Sequence, residues 1–289
     1  MKYVVVSMIL LFVFVGSLAA QQNPYFVTYD HHMEEPGSLE LSTQGTIGIQ
    51  KQDFPGYLGQ LFEMEYGITG WWSSALYLEG TFQNGESPVF GGFRLENRVK
   101  PLKSDHKINP ILYFEYEHIN EASRIRKEIV GHAEPSNESL AELAGVTADE
   151  IEAKLIFSSN AKNWNISENF IMEKNLTEDE GFEFGYAIGV FRPLSTLAKG
   201  TDCRFCRENF SAGLELYGGL GSTEQFGFKD TAHYLAPAVV WNLGRSHSIK
   251  VSPGFGLTGR SDRMLLRVGY TYEIYDFGRK VSRMFGVHK

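Results

Sequence analysis

Gly92-Phe93-Arg94-Leu95-Glu96-Asn97-Arg98-Val99-Lys100 decides the fold class. Successive side chains of a strand point to opposite sides, so Phe93, Leu95 and Val99 share one face and Arg94, Glu96, Arg98 and Lys100 the other. One face is large and apolar; the other is charged. The same period of two recurs downstream. Phe182, Phe184, Tyr186, Ile188 and Val190 alternate with Glu183, Gly185, Ala187 and Gly189. Ile249, Val251, Phe255 and Leu257 alternate with Lys250, Ser252, Gly254 and Gly256. Leu266, Val268, Tyr270, Tyr272 and Ile274 alternate with Leu265, Arg267, Gly269, Thr271 and Glu273. From Trp164 to Met172 the apolar set is interrupted once, by Glu168.

Extended along the chain, this period predicts about twelve strands, within a range of ten to fourteen. They run roughly over 38–50, 59–69, 73–83, 91–100, 108–118 (with a continuation towards 130), 151–160, 163–174, 181–192, 211–220, 232–243, 247–257 and 263–275. Most match the length of about nine to eleven residues that a tilted strand needs to cross a bilayer. Tight turn signals lie at 67–70, 159–163, 244–247 and 258–262. Ser136 to Gly145 reads as one short helix in a long loop, with a capping-type start and an extension over Ala148 to Lys154.

The composition narrows the class. The chain has 289 residues, 39 aromatics (21 Phe, 14 Tyr, 4 Trp), and 27 Lys+Arg against 35 Asp+Glu for a formal charge of -8. Disorder is excluded by the aromatic content, and an acidic balance without a basic run argues against nucleic-acid binding. Two cysteines make neither a disulfide scaffold nor a Cys-rich zinc module. Lys2, the apolar run Val4–Val15 and the small residues ending at Ala20 read as a secretory signal peptide cleaved near Ala20. The expected organisation is a signal peptide over 1–20, an N-terminal periplasmic arm over 21–37, a β-barrel over 38–276 and a C-terminal tail over 277–289.

Alternation alone does not separate a soluble sandwich from a membrane barrel, since either hides one face. Strand length, large apolar faces on nearly every strand and the export signal favour an antiparallel transmembrane β-barrel with lipid outside and charge inside. Tyr57, Trp71, Trp72, Phe90, Trp164, Phe191, Tyr234 and Trp241 cluster near strand ends, where an interfacial girdle is expected. With twelve strands, the tight links at 67–70, 159–163 and 244–247 share the periplasmic side. The long 193–210 connection is an exception on that side, and the helical loop falls on the other. The chain resembles the outer-membrane β-barrel proteins of Gram-negative bacteria, from its signal peptide and from 38 to 276. Its strand Arg267-Val-Gly-Tyr-Thr-Tyr-Glu-Ile-Tyr-Asp-Phe277 looks like their aromatic-ended terminal strand, although Gly278 to Lys289 follow it. The resemblance implies the bacterial outer membrane as location, and the lipid bilayer and the barrel-assembly machinery as partners.

The alternation sends Glu63, Glu65, Glu79, Arg94, Glu96, Arg98, Glu115, Glu117, Lys154, Glu183, Glu215, Lys250, Arg267 and Glu273 into the lumen, with Lys100, Glu152 and Glu173 on the same face. Acids outnumber bases there, and a lumen with surplus acid favours cations. The expected function is a passive pore or small-solute transporter with a charged, net acidic lumen and small ions or solutes as its cargo. A closed structural or adhesive barrel is the alternative on the same fold. A secreted soluble β-barrel binding an apolar ligand is the alternative outside it. Cys203-Arg-Phe-Cys206 lacks the His of a haem attachment and the further ligands of a zinc site, and reads as a local disulfide. Asp30, His31, His32, Glu34 and Glu35 have metal-ligand chemistry, but their place before the first strand reads as a solvated arm. His118, His233, Ser211 and Ser252 form no local nucleophile motif. No catalytic residue, metal or cofactor is assigned.

Overall fold

The computed structural model describes residues 24–51, 54–127, 138–194 and 205–284. Twelve strands form one closed antiparallel barrel: β1 (Leu39–Ile49), β2 (Tyr57–Thr69), β3 (Trp72–Gln83), β4 (Val89–Val99), β5 (Asn109–Asn120), β6 (Thr147–Ala161), β7 (Trp164–Asn175), β8 (Glu183–Pro193), β9 (Phe210–Ser222), β10 (His233–Asn242), β11 (His247–Gly256) and β12 (Met264–Ile274). Each strand pairs with its neighbours in sequence. β1 closes the ring against β12, in register from Leu39↔Ile274 to Ile49↔Met264, so the wall has no open edge.

Outward stand Phe62, Leu78, Leu95, Phe114, Leu155, Phe170, Ile188, Leu214, Val251, Phe255, Val268 and Tyr270, all exposed. Inward stand buried Glu96, Arg98, Glu115, Glu117, Glu152, Lys154, Glu173, Glu215, Arg267 and Glu273. That distribution is the reverse of a water-soluble barrel and matches a wall solvated by hydrocarbon. Glu168 keeps its place on the outer face, paired across to Phe157 and Ile188. Among the described residues no helix is long and apolar enough to cross a membrane.

Both chain ends of the barrel, at Leu39 and Ile274, open on one rim, called here the terminal rim. The connections at 70–71, 162–163 and 243–246 are the short ones there, and 194–209 is long. The β6–β7 link is a two-residue hairpin with Lys162 (φ 50) and Asn163 (φ 67) both left-handed, the twist that suits flanking strands. At Gly92 (φ 131) the β3–β4 register slips by a residue, and a Cβ there would lie 2.0 Å from the His118 carbonyl oxygen. Only glycine tolerates that bulge.

Three local readings need correction. β5 stops at Asn120, whose side chain accepts from Ser123 N (3.3 Å) and caps the helix α1 (Glu121–Arg124), so the strand does not continue towards 130. The expected loop helix is α2 (Leu140–Ala144), with a full Ser139/Glu142 capping box. Its extension over 148–154 is instead the start of β6, because Ala148, Glu150, Glu152 and Lys154 alternate inward while Ile151 and Leu155 face out. The third helix, α3 (Phe277–Met284), occupies part of the expected tail. Finally, Tyr57, Phe191 and Tyr234 are buried inside the lumen and do not belong to a girdle; Trp71, Phe90 and Trp164 are exposed.

Candidate functional site: an occupied lumen

The segment from Pro24 to Glu34 lies inside the barrel, where Tyr25, Val27, Thr28, Asp30 and His31 are buried, and Glu35 to Ser38 lead over the rim into β1. The solvated arm expected from the sequence is therefore corrected. Its partners on the barrel wall are 30 to 241 residues distant in sequence, and no local pattern reveals them. Tyr25 sits near the terminal rim, edge-on to Phe191 (5.8 Å), with its hydroxyl donating to Asn165 Oδ1 (2.6 Å). The chain then turns across the middle of the lumen. There the Glu215 carboxylate accepts three consecutive amides, Phe26 N (3.1 Å), Val27 N (3.0 Å) and Thr28 N (2.8 Å). Asn169 takes both backbone groups of Tyr29: Tyr29 N donates to Oδ1 (2.7 Å) and Nδ2 donates to the Tyr29 carbonyl (2.9 Å). The arm returns to the terminal rim, where His31 Nδ1 meets Ser158 Oγ (2.7 Å) and Arg98 donates to the His32 carbonyl (3.5 Å). From Tyr25 to His32 the arm dips from the terminal rim to mid-lumen and back.

Tyr29 anchors the loop. Its ring packs edge-on to Tyr113 (5.0 Å) and lies under the Arg98 guanidinium (5.5 Å) and the Lys154 ammonium (4.6 Å). Its hydroxyl donates to Glu96 Oε2 (3.1 Å), which also accepts from Tyr77 (2.5 Å). Arg98 bridges Glu65 and Glu96, and Arg94 bridges Glu79 and Glu115. Lys154 pairs with Glu152 (2.9 Å). The Arg267 guanidinium donates to the Tyr217 hydroxyl (2.5 Å), and Lys250 donates to the Tyr25 carbonyl (3.1 Å). Glu63 accepts from Ser42 and Tyr77. Glu183 faces inward beside Ser222 at the far mouth, and Glu273 inward at the terminal rim. These bonds meet the demand that a buried charge be paired.

The far mouth is filled by the chain that follows β5. Lys127 reaches Glu117 (2.8 Å), Glu173 (2.6 Å) and Glu150 (3.5 Å). Burial alone would discharge the ammonium, but the three carboxylates outweigh it and hold its pKa well above the ordinary lysine value. Arg124 joins Glu150 (2.6 Å), Glu180 (2.8 Å) and Glu121 (3.3 Å), and Arg126 stacks on Tyr57 (4.1 Å). The carboxylate groups close enough to share an ion among the described residues are Glu115/Glu117/Glu152 and Glu117/Glu150/Glu173. Lys127, Arg94 and Lys154 already neutralise them. Alternation finds wall residues; it does not find Lys127 or Arg124, which come from a loop.

The two insertions leave space along the inner faces of β12 and β1 to β4, bordered also by β6 and β11. A cavity of about 460 Å³ lies at the terminal rim between the arm and the wall; it is lined by Glu34, Glu40, Glu63, Glu65, Glu273 and Arg98, among others. A second, of about 160 Å³, lies beyond it and is lined by Thr46, Gly59, Glu79, Arg94 and Lys127. Phe26, Tyr29, Gln44, Leu61 and Tyr77 line both and form the narrow place between them. Buried among carboxylates from Glu40, Glu65 and Glu273, the Glu34 carboxyl is pushed up to about 9, with Arg98 opposing. Burial opposes the charge on Asp30, but the His32 ring 2.7 Å away outweighs it and lowers the Asp30 pKa, and the same contact raises that of His32. Cys206 precedes the 3₁₀ turn Arg207–Asn209 on the rim. The pairing with Cys203 and the signal peptide fall outside the described residues.

The architecture is that of outer-membrane β-barrel proteins. An outer membrane channel from Pseudomonas putida F1 superposes on 86% of this chain and 100% of its own, with a TM-score of 0.58 and 10% identity. The KdgM porin, solved in complex with disordered oligogalacturonate, matches 82% of this chain and 99% of its own, with a TM-score of 0.50 and 10% identity. At such identity the likeness is one of fold. No protein-family profile matches the sequence, and no curated protein matches it.

Proposed function

We propose that the chain is an outer-membrane channel that passes small hydrophilic solutes, cations ahead of anions, along the part of the lumen left beside the arm. The observation that carries this reading is the inverted wall, apolar outside and charged inside, with a 460 Å³ cavity along β11, β12 and β1–β4. Glu34 is protonated at neutral pH, and the cavity's other acids, Glu35, Glu40, Glu63, Glu65 and Glu273, outnumber its bases Arg98, Arg245 and Lys250, which supports cation preference. On this reading the role is transport, not catalysis. The chain is exported with cleavage near Ala20, and its last strand engages the barrel-assembly machinery. A soluble carrier would need an apolar interior and a wet outer wall, the reverse of this distribution.

The closed structural barrel is the second reading, favoured by the arm and the Lys127 cluster that fill most of the lumen. Single-channel recording of the detergent-purified mature chain in a planar bilayer, under a salt gradient, separates the two. Discrete steps whose reversal potential reports cation preference support the channel. An inserted barrel that never conducts, even with the arm released as described below, supports the closed one.

A further inference from the structure

We propose that α3 is an interfacial anchor that lies on the bilayer surface at the terminal rim and binds anionic phospholipid headgroups. This inference rests on the membrane-barrel reading above and adds a lipid-binding surface to it.

Sequence supplies the first observation. Phe277, Val281 and Met284 recur at i, i+4 and i+7, one stripe of a helix, while Arg279, Lys280 and Arg283 stand on the rest of its circumference. From 277 to 289 the chain has four Lys/Arg and no Asp or Glu, in a protein whose formal charge is -8. Short amphipathic helices with basic polar faces seat at the headgroup level, and each basic residue there gains from anionic lipid.

Position supplies the second. Asp276, left-handed at φ 54, turns the chain sharply out of β12. Gly278 N donates to the Gly37 carbonyl (3.0 Å) and Asp276 N to Ser38 Oγ (3.3 Å), which pins the helix start to the rim. The Phe277 ring then packs edge-on to Tyr66 (6.5 Å), and a methyl on Gly278 would sit 2.9 Å from the Tyr66 hydroxyl. Tyr66 continues the outer face of β2 after Phe62 and Met64, so the apolar stripe of α3 begins where the lipid-facing wall ends. None of its eight residues is buried, and Met284 is 79% exposed. A stripe continuous with the apolar wall, flanked by cations and left open by the protein, is completed by a lipid surface. Because the barrel already fixes its start, α3 loses little freedom on seating, which compensates for its shortness.

The test uses the full mature chain with Cys203→Ser and Cys206→Ser, carrying one spin-labelled cysteine at a time and reconstituted in bilayers of phosphatidylcholine with or without phosphatidylglycerol. Labels are placed by Met284→Cys, Lys280→Cys and, as a reference on the barrel wall, Val268→Cys. In the anionic bilayers the label at 284 is expected to favour oxygen over a water-soluble nickel complex, the label at 280 the reverse, and the label at 268 to be deepest. Removing phosphatidylglycerol, or Arg279→Gln with Lys280→Gln and Arg283→Gln, is expected to shift the label at 284 towards water. A label at 268 in lipid with equal aqueous exposure at 280 and 284 overturns the anchor and leaves the barrel reading standing. An aqueous label at 268 overturns the barrel reading itself. Depth at 284 that ignores both lipid charge and the triple change overturns the headgroup assignment.

Discussion

Glu215 shows how one wall residue decides what the lumen contains. It is 0% exposed and spends its carboxylate on the amides of Phe26, Val27 and Thr28, donors that an extended loop cannot satisfy for itself. Glu215→Ala leaves three amides without their acceptor. Water entering the space recovers part of the loss, so the seated arm is expected to weaken by roughly 2–4 kcal/mol. Chymotrypsin cleavage at Tyr25, Phe26 or Tyr29 in the folded, reconstituted protein is the readout. It should rise sharply in the variant while the heat-modifiable mobility of the barrel is kept. Unchanged cleavage would show that the arm is held by other contacts. Gly189 makes the complementary case: a Cβ there would lie 2.4 Å from the Tyr25 ring. Gly189→Ala is therefore expected to expose the same sites without changing the lipid-facing side of β8, and wild-type resistance in that variant would place Tyr25 elsewhere.

Strands were legible because their two faces meet two solvents. Ile188 and Val268, 39% and 46% exposed on the outer face, stand opposite in direction to Gly189 and Arg267, as the alternation of their sequence requires. Arginine at Val268 is thus expected to cost roughly 2–4 kcal/mol of barrel stability, as for a cation near mid-bilayer. Chemical unfolding in lipid vesicles measures it, with Ile188→Arg as a second site; wild-type stability in both would refute the register. The arm was not legible because it has neither period. Tyr25, Phe26, Val27 and Tyr29 read as a loose apolar cluster until Glu215 and Asn169, polar lumen residues, supply the backbone partners that a neighbouring strand would otherwise give, and Asn165 accepts from the Tyr25 hydroxyl. The same limit hid Tyr57, Phe191 and Tyr234: an aromatic near a strand end serves a girdle or a lumen equally well until something fills the lumen. Lys127 was hidden because a strand's period says nothing about side chains that enter from a loop at the mouth.

At the scale of the whole molecule, the hold of the wall on the arm is expected to depend on pH. Glu34 lies beside Glu40 of β1, Glu65 of β2 and Glu273 of β12, with Arg98 of β4 the opposing cation and Lys250, Arg245 and Tyr275 lining the same cavity. Seated, its carboxyl titrates at about 9; released into water, it returns to the ordinary carboxyl value of 4.5. The seated state therefore binds more protons, so its advantage is whole below about 4.5 and is lost as pH rises through about 9. His32, raised by Asp30, changes in the same direction: its contribution is present below 6.5 and fades as pH climbs through its raised value. His31, lowered by burial and by His32, and Asp30, lowered by His32, favour seating at higher pH; the Asp30 contribution is complete well below neutrality and that of His31 just above it. Between pH 7 and 9.5 the ionisation of Glu34 loosens the arm. Open probability in planar bilayers is expected to rise over that window. In Glu34→Gln, whose uncharged amide imitates the protonated acid, the Glu34 share of the rise is expected to vanish. A profile in Glu34→Gln that follows the wild type point for point would show that the arm is not the gate. A conductance independent of pH in the wild type would show that ions pass the narrow place between Tyr29, Gln44 and Tyr77 whether or not the arm is charged.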